Sequence, residues 1–218
     1  MSNVKQFFDS IDPADVIRYK TYWESIKPVT NDEKFLRWIF AYMSIHTTWT
    51  SNVKGYEALK DYSDWINDKA LLKQKIIDAR VGLFNMRTEY IWDFAKKFWE
   101  NPSMFEHQEG ESCADCRNRL VDNLRGIGMT KVSFTIEMLI PNECEVFCLD
   151  THMMQFFNVP KNMKFESGKG RDIYVATENA WLDMCREKDI PSTIARAIYW
   201  DRNQGKEDSR YWTYVLEG

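Results

Sequence analysis

LVDNLRGIGMTKVSFTIEMLIPNECEVFCLDTH, residues 120–152, is the stretch that decides how this chain folds. It reads as a helix, a tight turn at Gly126-Ile127-Gly128, a second helix, a short loop and then an acid, Asp150. Two glycines one residue apart let a backbone turn sharply and approach a ligand closely, because neither carries a Cβ. The second helix starts with its first N–H groups aimed back at the turn, a ready site for an anion such as phosphate. A carboxylate shortly downstream would stand near whatever carries that phosphate. The same letters also fit an ordinary helical hairpin, so the surrounding chain has to decide.

Outward from the hairpin, almost every segment has helical spacing. Residues 13–26 open on Asp12-Pro13, an N-cap followed by an N1 proline, and stop at Lys27-Pro28. From Asn31 or Asp32 a longer helix carries Phe35, Trp38, Ile39, Tyr42 and Met43 as one buried stripe. It ends at the hydroxyl-rich run SIHTTWTSN, with the next helix expected over 53–62. Helices over 70–80 and 86–100 follow, the second with Ile91, Phe94, Ala95, Phe98 and Trp99 on one face and Asn101-Pro102 at its end. The hairpin occupies about 114–140. Residues 146–149 are apolar but have no neighbouring strand to pair with, and 161–171 read as a basic, glycine-containing loop. Two more helices are expected over 173–188 and 192–203, before a charged, aromatic segment through 214. The pattern predicts an all-α protein without repeats.

At 218 residues the chain is long enough for a real core in one domain or two close lobes. Nine tryptophans imply large residues in the core or in a binding cleft. A net charge of −4 gives no general basic field, so any nucleic-acid contact must rest on local basic groups or backbone amides. No apolar run matches a membrane span, and MSNVKQ lacks a signal-peptide pattern, so a soluble, cytoplasmic or nucleoid-associated protein is expected. The five cysteines are odd in number, and Cys113-Ala-Asp-Cys116 has no second half at zinc spacing, so neither a disulfide framework nor a bound metal is expected.

With these segments in view, the chain resembles the helix-hairpin-helix DNA glycosylase superfamily, the group that includes endonuclease III. Leu124-Arg125-Gly126-Ile127-Gly128, a helix, and Leu149-Asp150-Thr151-His152 are similar to that family's L-P-G-V-G, helix and V-D-T-H. ARVGLFNMRTE at 79–89 resembles its I-G-L-Y-N-x-K-A-E, and MSIHTT at 43–48 its L-S-x-Q-x-T. One G-x-G is weak evidence; four segments in order, spread over about 32–157, are not.

The resemblance implies two helical lobes with a DNA cleft between them. Residues 32–142 would form the helical-barrel lobe ending in the hairpin, and 1–31 with 143–218 the lobe carrying Asp150. Double-stranded DNA with a modified or damaged base would be the partner of a monomeric protein. Arg125, Gly126, Gly128 and Met129 would meet a phosphate, with a monovalent cation at the hairpin. His46 and Thr48 would lie against the DNA, His46 filling the gap in the duplex, and His152 would lie beside them. Asp150 would face the sugar of a flipped nucleotide and either stabilise an oxocarbenium-like transition state or help activate the attacking nucleophile. His46 also fits a plain hydrogen-bonding role at a helix end, and Asp150 that of an N-cap.

The chain departs from the family in three places. The family's catalytic lysine sits two residues after the second glycine, where this chain has Thr130; Lys131 is one residue later, about 100° further round the helix. Either Thr130 takes the lysine's place and water is the nucleophile, or the turn holds one extra residue and Lys131 attacks. The ungapped alignment favours Thr130 and a monofunctional glycosylase. Arg125 replaces the hairpin proline. Only Cys185 lies beyond residue 148, so no iron–sulfur cluster is expected. The alternative activity is that of a bacteriophage branch of the fold, a transferase acting on a 5-substituted thymine or uracil in DNA; a non-catalytic DNA-binding module is the third reading. Tyr199, Trp200, Tyr211 and Trp212 would stack on a base or pack the second lobe.

Overall fold

The computed structural model describes residues 2–205, which form eleven α-helices, with no strand among them. Local chemistry explains most of the boundaries. Helix α1 (Ser2–Asp9) escapes a periodicity search because it is short and mostly polar, yet Phe7 and Phe8 anchor it on Trp181, with ring centroids 5.9 and 4.9 Å away. Asp12 caps α2 (Pro13–Ser25) by accepting from the Ala14 N–H at 2.8 Å. Thr30 and Glu33 form a reciprocal capping box on α3 (Asn31–Met43).

Helix α4 (Trp49–Leu59) starts four residues before the expected position of 53. The hydroxyl run is an N-cap and first turn rather than a loop, with Thr48 accepting from the Ser51 N–H at 3.3 Å. Helices α5 (Lys69–Asp78) and α6 (Phe84–Glu100) follow, then the hairpin pair α7 (Cys113–Asn123) and α8 (Met129–Leu139). After α9 (Thr151–Phe156), α10 (Gly168–Lys188) begins inside the stretch expected to be a basic loop, and α11 (Ser192–Asn203) ends the described helices. Tyr211 and Trp212 lie outside the described residues. No described helix is long and apolar enough to cross a membrane.

Helices α3 to α8 pack on one another around Phe35, Trp38, Phe94, Phe98 and Phe105, all essentially buried. Helices α1, α2, α10 and α11 form a second group around Trp181, on which Phe147 stacks at 4.9 Å. Each such aromatic is worth about 1.5–3 kcal/mol of burial, so the two clusters carry much of the fold.

Residues 146–149 run between the groups as buried, irregular backbone whose polar groups need partners. Side chains supply them. Ser192 Oγ donates to Val146 O at 2.8 Å, and Glu178 accepts from the Phe147 N–H and Glu137 from the Cys148 N–H, each at 2.9 Å. Tyr174 donates to Phe147 O at 2.5 Å. The next residues are Leu149 and Asp150, so this pinned segment delivers the acid to its place.

Candidate active site

Asp150 is the N-cap of α9. Its Oδ1 accepts from the backbone N–H groups of His152 and Met153 at 2.9 and 3.0 Å, which holds the carboxylate at the helix end. Beside it opens a cavity of about 210 Å³. Phe40 and Phe134 form an apolar wall, and Trp49 and Trp200, tilted against each other with ring centroids 6.2 Å apart, also line the cavity. Lys131, Asp150, His152 and Arg196 bring charge or ring nitrogens to the same space. The volume is below the ~300 Å³ at which pockets for drug-sized ligands begin.

Lys131 and Thr130 point different ways. The Thr130 hydroxyl turns to the Leu149 carbonyl at 3.4 Å and is not in the cavity wall. The Lys131 ammonium lies over the Phe134 ring, 5.5 Å from its centroid, inside the cavity that Asp150 also lines. Burial pushes the Lys131 ammonium pKa below the ordinary lysine value; Cys148 and Asp150 pull it back and Arg196 lowers it further. Depressed basicity is what a lysine needs in order to act as a nucleophile.

Behind Asp150 stand two charges not singled out in the sequence. Arg196, from α11, and Glu137, from α8, are 2 % and 0 % exposed and form an ion pair. Arg196 Nη1 reaches Asp150 Oδ2 at 3.4 Å. Asn52 was missed as well: it is 4 % exposed, lines the cavity, and its Oδ1 has no hydrogen-bond partner. The legible signal was an acid or a guanidinium inside an otherwise apolar run, TIEML and TIARAI.

The hairpin needs correction at two positions. Only Gly126 has a left-handed backbone, φ +77°, and a Cβ there would sit 2.0 Å from the Tyr90 ring. Gly128 is extended with φ −111°, and a Cβ on it would meet nothing. Its place at the N-cap leaves α8 with no side-chain cap. Met129 is buried, so only its backbone faces outward use. Arg125 is exposed and pairs with Asp93 at 2.7 Å, a surface bridge that a phosphate would readily replace.

His46 is exposed, with φ +49°, and faces a second cavity of about 180 Å³ rather than the one holding Asp150. Gly126, Tyr90, Leu83 and Met86 share that cavity, and Leu83 and Met86 are exposed apolar groups beside the hairpin. Thr48 caps α4 and lines the Asp150 cavity. His152 is held in the wall, its Nδ1 2.8 Å from the Asn203 amide and its ring edge-on to Trp200. Tyr199 packs on Phe7 and Phe156, whereas Trp200 lines the cavity.

The arrangement of these helices is one also found in solved DNA glycosylases. No family model and no curated protein matches the chain. Among solved structures it is similar to the 8-oxoguanine DNA glycosylase of Methanocaldococcus jannaschii, with a TM-score of 0.71 and 20 % identity over 93 % of this chain and 94 % of that one. The same organism's 8-oxoguanine glycosylase/lyase bound to a 15mer DNA containing 8-oxoguanine aligns with a TM-score of 0.70 and 22 % identity, covering 94 % and 97 % of the two chains. The 8-oxoguanine DNA glycosylase of Thermotoga maritima aligns with a TM-score of 0.68 and 16 % identity, covering 95 % and 97 %. The chain has the all-helical fold of these glycosylases over nearly its whole length.

Proposed function

We propose that this protein is a DNA glycosylase that draws one modified base out of duplex DNA and breaks its glycosidic bond, with Lys131 as nucleophile. One observation carries the reading: Lys131 and Asp150 line a single cavity of a glycosylase fold, while Thr130 hydrogen-bonds away from it. The preference for Thr130 and a water nucleophile therefore gives way to the lysine route. The base leaves the stack because no side chain reaches the bond inside a duplex. The Lys131 amine bonds to the sugar C1′ as the C1′–N bond breaks and the base departs with a proton. The Asp150 carboxylate offsets the positive charge that grows on the sugar. Opening of the sugar ring at C1′–O4′, with the proton lost from the amine going to O4′, then gives a Schiff base, which is a route to strand cleavage.

The hairpin amides, with Arg125, are assigned to a backbone phosphate. His46 and the apolar Leu83 and Met86 are assigned to the disturbed duplex, where apolar side chains enter between base steps. At the hairpin, the carbonyls of Asn123 and Arg125 would each keep one lone pair for a monovalent cation. These already accept from Lys97 Nζ at 2.7 Å and Tyr42 Oη at 3.3 Å.

The substrate to test first is 8-oxoguanine, because the neighbouring structures are of enzymes named for it. Labelled duplexes carrying it and other modified bases should give abasic or nicked product, and borohydride should trap an adduct that Lys131→Ala abolishes. Free base without an adduct would restore the water route, and no product from any duplex would remove the glycosylase reading. The transferase reading draws on Lys131, Arg196 and His152 lining one cavity, nitrogen groups that would also receive a phosphate leaving group. Intact, heavier nucleosides in mass spectra of treated DNA would decide for it.

A further inference from the structure

Excision by Lys131 and Asp150 does not by itself require the charged pair buried behind them. A buried ion pair is commonly no more stabilising than apolar residues of the same volume, so stability alone does not explain it. Its geometry suggests another purpose. Glu137 Oε1 accepts from the Cys148 N–H at 2.9 Å, and its Oε2 accepts from Arg196 Nε at 2.7 Å. With the guanidinium aimed in this way, Nη1 meets Asp150 Oδ2 at 3.4 Å. The other oxygen, Oδ1, is held by the α9 amides. The two oxygens of Asp150 are thus located by two different helices. Arg196 also lies over the Phe134 ring at 5.6 Å, the same ring that Lys131 covers at 5.5 Å.

We propose that Arg196, aimed by Glu137, is a positioning residue that fixes the second oxygen of Asp150 and keeps a permanent positive charge beside Lys131. A guanidinium does not lose its proton in a protein, so this charge is constant with pH. Its neighbour can respond. A fixed cation next to an amine disfavours the ammonium form, which leaves more of Lys131 as nucleophile. The other groups facing this cluster are Cys148 from the pinned segment, His152 from α9 and Tyr199 from α11. The link to catalysis rests on the glycosylase reading; the effect on Lys131 does not.

The test therefore has two arms. In the first, DNA-free protein is reductively methylated with formaldehyde and borohydride across about pH 6 to 10, and Lys131 is followed by peptide mass spectrometry. The variant Glu137→Gln with Arg196→Met removes the charge without stranding a carboxylate, and Arg196→Lys keeps the charge. The double variant should label Lys131 more slowly than wild type near neutrality, because the cation that disfavours its ammonium form is gone. Arg196→Lys should follow the wild-type profile. A wild-type profile in the folded double variant would overturn the proposal.

In the second arm, single-turnover excision should fall at least tenfold in the double variant with DNA affinity unchanged. Unaltered excision would remove Arg196 from the reaction. A wild type inactive on every duplex would defeat the glycosylase reading, and the labelling arm would still decide the role of Arg196.

Discussion

Arg87 Nη1 donates to the carbonyl oxygen of Tyr42 at 2.9 Å, so a buried guanidinium on α6 closes the end of α3. The same group reaches Met43 O and Ile45 O, and its Nε donates to Gly82 O at 3.1 Å. One cation thus satisfies a helix end and two loops, the loops that carry His46 and Leu83. Arg87→Met would remove the donor to Ile45 O and Gly82 O, while Met43 O keeps the Thr47 hydroxyl at 3.0 Å and Tyr42 O the Ile45 N–H at 3.4 Å. We expect a loss of about 3 kcal/mol in urea unfolding, partly restored by Arg87→Lys. DNA affinity should fall with it, because the His46 loop loses its anchor. A methionine variant as stable as wild type would show that water satisfies these carbonyls instead.

The two hairpin glycines should behave differently. Gly126→Ala must place a Cβ at φ +77° and 2.0 Å from the Tyr90 ring, which costs at least the ~1–2 kcal/mol of left-handed backbone strain plus the overlap. Gly128→Ala meets nothing and should change stability by less than about 0.5 kcal/mol. If α8 receives a phosphate, Gly128→Val will still weaken binding to duplexes of any sequence, because its bulk stands where the phosphate approaches. Thermal melts and salt-dependent binding separate the two effects.

Capping and chemistry can be separated at Asp150. Asparagine is as good an N-cap as aspartate, so Asp150→Asn should keep the fold, whereas Asp150→Ala should cost about 1 kcal/mol. Both should lose excision, since neither supplies the negative charge. Activity in the asparagine variant would reduce Asp150 to a cap.

Lys131 gives a pH signature. Its folded pKa lies below the ~10.4 of an unfolded lysine, so between those values the unfolded chain binds more protons and stability rises with pH. The penalty is full below the folded value and gone above the unfolded one. Lys131→Met should therefore be more stable than wild type at neutral pH, with the difference closing toward about pH 10. Urea midpoints measured across that window check the sign.

Much of the fold could be read from spacing, because stripes such as Phe35, Trp38, Ile39 and Tyr42 report a buried helical face directly. Caps were harder. Thr48 sits among other hydroxyl residues, and only its bond to the Ser51 N–H shows that α4 starts there. At the site, Asp150 and the hairpin were legible because their neighbours in sequence carry the pattern. Glu137, Arg196 and Asn52 were not. They meet only in space: an apolar run around Glu137 and Arg196 marks them as buried but does not say what they face. The choice between Thr130 and Lys131 was beyond the letters for the same reason: one residue of rotation decides which side chain enters the cavity.

The seam between the helix groups has a consequence for synthesis. Phe40, Asn52 and Lys131 belong to helices made early, while Arg196 and Trp200 belong to α11, the last described helix to leave a ribosome. Domains tend to fold in that order as they emerge. Until α11 docks, the Lys131 ammonium lacks the Arg196 guanidinium that disfavours its charged form. A nascent chain can therefore complete its hairpin while the cavity is still open; Lys131 and Asp150 share a walled space only once the second group has docked.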